Sequence, residues 1–95
     1  MAEVLSDDDR ASAIRGLDGW AEADGGKAIT REFEFADFVE AFGFMAKAAI
    51  HAEKMNHHPE WSNVYKTVDV TLSTHSAGGV TDLDIMLART MDRLA

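Results

Sequence analysis

Between Ala28 and Met55 the spacing of apolar residues switches from a period of two to one of about 3.6. That switch constrains the fold more than any other feature of the chain. Ile29, Arg31, Phe33 and Phe35 share one face of an extended segment, with Thr30, Glu32 and Glu34 on the other. From about Ala36 to Met55 the pattern is helical. Phe38, Phe42, Met45, Ala46, Ala49 and Ile50 form an apolar stripe, read as the face turned to the core. Ala46, Ala48, Ala49 and Ala52 are small enough to let this helix approach a sheet closely.

The flanking segments repeat the theme. Ser6 and Asp9 form a box-like helix start, and Asp7, Asp8 and Asp9 suit the positive end of a helix better than a metal. That helix runs to about Gly16, with Ile14 and Leu17 inward. Trp20 to Ala23 reads as a strand, and Asp24-Gly25-Gly26 as the hairpin turn into the strand at 28–35. Asn56-His57-His58-Pro59-Glu60 ends the long helix, because a proline disfavours helical backbone at the residue before it. Trp61 to Thr74 is strand-like. Val68, Val70 and Leu72 point one way and Asp69, Thr71, Ser73 and His75 the other. A break near Lys66-Thr67 divides it into two strands, and Ala77-Gly78-Gly79 is a loop. The last helix starts at Thr81, with Asp84 completing its cap and Leu83, Met86, Leu87, Thr90, Met91 and Leu94 as its apolar face.

The order is α-β-β-α-β-β-α. It predicts an α+β two-layer sandwich, a four-stranded antiparallel sheet with three helices on one face, in a single domain spanning residues 1–95. Exposed edge strands would allow sheet-to-sheet pairing in a dimer.

Composition narrows the function. A chain of 95 residues makes one domain with a thin core. No cysteine is present, which excludes disulfides, thiolate zinc sites and a cysteine nucleophile. Seventeen acidic against nine basic side chains give a net charge of −8, a field that repels nucleic acid and anionic membrane. The acidic N-terminus is unlike a signal or transit peptide, and no apolar run is long enough to span a bilayer, so a cytoplasmic location is expected.

Four histidines carry the potential chemistry: His51, His57, His58 and His75. Imidazole is suited to proton transfer near neutrality. The His57-His58 pair ends the second helix and His75 ends the last strand. In a two-layer fold these ends can meet, with Glu53 and Asp84 close to the same termini. Plainer readings exist for each residue: surface polarity for the His pair, capping for Asp84, core packing for Trp61, a solvated helix position for Glu53. His51, mid-helix, reads as structural or exposed. There is no His-Glu-x-x-His motif, adjacent imidazoles on extended backbone diverge, and no serine sits in a nucleophile elbow, so neither a metal site nor a serine triad has a spacing signal.

The stretch His51-Ala-Glu-Lys-Met-Asn-His-His-Pro-Glu-Trp61, then Asn63-Val-Tyr65, then Thr71-Leu-Ser-Thr-His75, resembles the pterin-4a-carbinolamine dehydratase family. Three residues separate Glu53 from His57, and the pattern continues through Tyr65, His75 and Asp84. Gly19-Trp20, Ile29 to Phe35 and Phe38 extend the likeness over nearly the whole chain. The resemblance implies a hydro-lyase that removes water from 4a-hydroxytetrahydrobiopterin to give the quinonoid dihydropterin. This reaction recycles the tetrahydrobiopterin of aromatic amino acid hydroxylases. It implies no metal or organic cofactor, and dimers through sheet extension or tetramers through helices. His57, His58 and His75 would be the acid–base set. His58 and His75 would handle the leaving hydroxyl, and His57 would place or deprotonate the ring. Glu53 and Asp84 would orient imidazoles or hold ring nitrogens, and Trp61 would wall the pocket. The same resemblance admits a role in molybdopterin metabolism, or a non-enzymatic dimerisation or coactivator function. Two positions depart from the family pattern. Asn56 replaces a frequent acidic residue, and Leu83 stands where some members have arginine.

Overall fold

The computed structural model describes residues 2–95. Its elements follow the expected order: α1 (Asp7–Arg15), β1 (Ala21–Ala23), β2 (Ala28–Glu34), α2 (Phe38–Met55), β3 (Glu60–Val64), β4 (Thr67–Leu72) and α3 (Asp82–Leu94). The four strands make one antiparallel sheet in the order β1-β2-β4-β3, so β1 and β3 are its edges. The three helices cover one face.

Register follows from the alternation. Ile29 pairs with Leu72 and Phe33 with Val68, and all four are buried beneath the helices. The opposite face carries Thr30 against Thr71 and Glu32 against Asp69, and it stays polar. Arg31 shares the apolar face, yet it is satisfied there. Its guanidinium donates to Asp92 Oδ1 at 2.6 Å and lies 4.1 Å from the Phe33 ring centroid, and Trp20 Nε1 donates to the same Asp92 oxygen at 2.8 Å. This network ties β2 and the segment before β1 to the end of α3.

The turn from β1 to β2 is one turn of 3₁₀ helix at Asp24–Gly26. Gly26 has φ +88°, a left-handed backbone that glycine adopts without strain. The β3–β4 hairpin makes the opposite choice. Tyr65 adopts φ +51° with an exposed side chain. A left-handed conformation is costly for any residue with a Cβ. Tyr65→Gly is therefore expected to raise stability by about 0.5 kcal/mol, the relief of that strain outweighing the entropy glycine adds to the unfolded chain. Urea denaturation checks it.

The packing face of α2 differs from the expected one. Ala41, Phe44, Ala48 and Ala52 are buried against the sheet and α3. Phe38, Phe42 and Ile50 face outward, with Phe42 58% and Ile50 63% exposed. Ala46 and Ala49 are exposed too, and only Met45 of the expected stripe packs on the core. The three alanines let the helix lie close to its neighbours, and Phe44 fills the space against Phe33 and Phe35. α3 is shifted as well. Ile85, Leu87, Ala88 and Met91 are buried, whereas Met86 is about half exposed.

Candidate active site

Two helix caps build the site. α2 ends at Asn56, whose φ of +53° is left-handed and which asparagine tolerates better than most residues. The His57 N–H then bonds back to the Ala52 carbonyl at 3.0 Å, and the chain turns sharply into His58 and Pro59. α3 begins with a reciprocal cap. The Thr81 hydroxyl accepts from the Leu83 N–H, and Asp84 Oδ2 accepts from the Thr81 N–H at 2.9 Å.

Asp84 does more than cap. It is fully buried, and its Oδ1 accepts from His57 Nε2 at 2.5 Å. Its Oδ2 also accepts from the Thr74 hydroxyl at 2.8 Å. Thr74 and Thr81 bond each other at 2.7 Å. One carboxylate therefore joins the end of α2, the segment after β4 and the start of α3. Both its oxygens are taken by protein donors, so Asp84 orients an imidazole and is walled off from solvent.

Each of the three histidines has its own carboxylate. His57 is 8% exposed and held by Asp84. His58 Nε2 reaches Glu53 Oε1 at 2.7 Å, one turn back along α2. His75 Nε2 reaches Glu60 Oε1 at 2.6 Å. The His58 and His75 side chains are 57% and 78% exposed. A carboxylate only accepts, so in every pair Nε2–H donates and Nδ1 is the nitrogen left free in a neutral ring. His58 adjoins His57, and His75 adjoins Thr74. Two open imidazoles thus flank, by one residue each, His57 and Thr74, two of the three donors that share Asp84. His51 has no part in this cluster.

A groove of about 330 Å³ adjoins His75, lined also by Glu60, Thr71, Ser73, Lys27 and Asp24. Trp61 lies on β3 opposite Val70, half-buried against the core. Glu60, the His75 partner, was not among the residues expected from the sequence. The available signal was a carboxylate directly after His-His-Pro, which becomes meaningful only once β3 is registered on β4. Among the described residues no three His, Asp or Glu side chains gather as a metal-holding group, and no helix is long and apolar enough to cross a membrane.

An α+β sandwich carries three imidazole–carboxylate pairs at the ends of α2 and β4. A family model described as "Pterin 4 alpha carbinolamine dehydratase" matches residues 3–94, and the chain belongs to that family. A Bradyrhizobium sp. (strain ORS 278) protein named for this dehydratase is 64% identical over all of this chain and 95% of its own length. A crystal structure titled as a transcriptional coactivator/pterin dehydratase from Brucella melitensis is 57% identical, with a TM-score of 0.95 over 98% of this chain and 99% of that one. A pterin dehydratase-like protein described as a RuBisCO assembly factor in the alpha-carboxysome shares the fold, with a TM-score of 0.70 at 22% identity over 82% of this chain.

Proposed function

We propose that the chain dehydrates 4a-hydroxytetrahydropterins, with His57, His58 and His75 as its acid–base groups. The observation that carries this reading is the set of three imidazoles, each held at Nε2 by a carboxylate, on segments joined through buried Asp84. The reaction breaks the C4a–O bond as the lone pair of the adjacent ring nitrogen moves in. A proton goes to the departing oxygen, and another leaves the ring system. The products are water and the quinonoid dihydropterin. No electrons are gained or lost, so histidines alone can balance it.

The open rings of His58 and His75 are suited to protonate the departing hydroxyl. Buried His57 is suited to fix or deprotonate the pterin ring. Glu53 and Asp84 act on the substrate through the imidazoles they hold, and Trp61, which packs on the core and does not line the groove beside His75, supports β3 beneath the site. The groove beside His75 is large enough for part of a small heterocycle. General acid–base assistance of this kind is worth roughly 10²–10⁴ in rate. Freshly generated 4a-hydroxytetrahydropterin, followed spectroscopically to the quinonoid product, is expected to react faster with the protein than without it. A rate indistinguishable from the spontaneous one contradicts the reading and favours a non-enzymatic role such as the coactivation for which the Brucella melitensis relative is named.

The reading includes a homodimer or homotetramer in the cytoplasm. Phe38, Val39, Phe42 and Ile50 form an exposed apolar stripe along α2, the kind of surface that monomers rarely carry without a partner. Phe42→Glu is expected to shift the sedimenting species to a smaller assembly. An unchanged sedimentation coefficient argues against association through α2.

A further inference from the structure

A second groove, of about 400 Å³, lies between the C-terminal half of α2 and the outer side of α3. None of His57, His58 and His75 lines it. Met55 and Met86 form its apolar floor, and Lys54, Arg89, Arg93 and the remaining histidine, His51, surround them. No acidic side chain lines this groove, although acids outnumber bases seventeen to nine in the chain. Arg10 and Arg31 both have carboxylate partners, whereas Lys54, Arg89 and Arg93 have none among the described residues.

Arg89 and Arg93 are one helical turn apart, a spacing at which like charges repel. Lys54 and Arg93 lie in the last turns of their helices, where the helix dipole favours a cation. Arg89 lies further in, and the dipole does not account for it. A bound anion would remove the repulsion. Guanidinium pairs suit phosphate oxygens, and polarizable methionine suits an unsaturated body. The volume is within the range of small-molecule sites.

We propose that this groove binds a small organic phosphate, its apolar body on Met55 and Met86 and its phosphate between Arg89, Arg93 and Lys54. The test is an NMR titration of the full chain with phenyl phosphate, read at the Met55 and Met86 methyls and the His51 ring. Saturable shifts are expected, with a Kd below about 1 mM. Arg89→Glu combined with Arg93→Glu is expected to weaken binding at least about tenfold, and the milder Lys54→Gln about threefold. Phenol and inorganic phosphate alone are each expected to bind about tenfold more weakly than the ester. Overturning results are no saturable shift, an unaltered Kd in these variants, or inorganic phosphate binding as tightly as the ester. Absence of a shift because a second copy of the chain covers the groove, seen as loss of the oligomer in the Glu variants, overturns it equally.

Discussion

Asp84→Ala is expected to lower folding stability by about 3–5 kcal/mol, a large part of the ~5–15 kcal/mol typical of a domain. The residue is fully buried, and three donors converge on it: the His57 ring, the Thr74 hydroxyl and the Thr81 N–H. Truncation leaves His57 Nε2 in the interior without an acceptor and opens the cap of α3. Thr74 and Thr81 keep each other, which limits the damage at the hydroxyls. Asp84→Asn retains one oxygen acceptor but turns an amino group toward a second donor, so its loss should be intermediate. For a chain of this length each kcal/mol is worth roughly 4–8 °C in Tm. Equilibrium urea denaturation with thermal scans measures both. A loss under about 1 kcal/mol for Asp84→Ala would show that the buried carboxylate is not the junction of the three segments.

His58→Ala and His75→Ala are expected to lower kcat by about 10²–10⁴ each while leaving the fold intact. Both rings are well exposed and contact only one carboxylate, so their removal should change stability by less than about 0.5 kcal/mol. That separation of activity from stability distinguishes them from His57, whose ring is buried on Asp84 and whose loss should affect both. His51→Ala should lower turnover far less than either. Steady-state rates on freshly made carbinolamine, with unfolding curves for each variant, provide the comparison. Equal damage from His51→Ala would place the chemistry elsewhere.

Element order was readable from the sequence because each strand and helix keeps its own period, and Gly, Asn and Pro mark the breaks between them. The packing face of α2 was not readable, because both sides of that helix are apolar. Phe38, Phe42 and Ile50 are as apolar a set as Ala41, Phe44, Ala48 and Ala52, yet it is the second set that is buried. That choice depends on helix-to-sheet distance, which no local pattern encodes. Arg31 posed a similar problem. Its place on the apolar face makes sense only through Asp92 and Trp20, which are far away in the chain. At the site, the Glu53–His58 pair lies within one local turn and could be anticipated. The Thr81–Asp84 cap could be anticipated too, whereas the bond from Asp84 to His57 crosses from α3 to the end of α2. The partnership of His75 with Glu60 depends on the register of β3 against β4.

The central claim is that His57, His58 and His75 act on one ligand. A titration of ring-labelled protein with a stable 7,8-dihydropterin, followed through the imidazole nitrogens, tests it most directly. The account predicts that the Nδ1 signals of all three rings move along a single binding curve while that of His51 stays in place. Separate curves for the three rings, or a response from His51 alone, would contradict it.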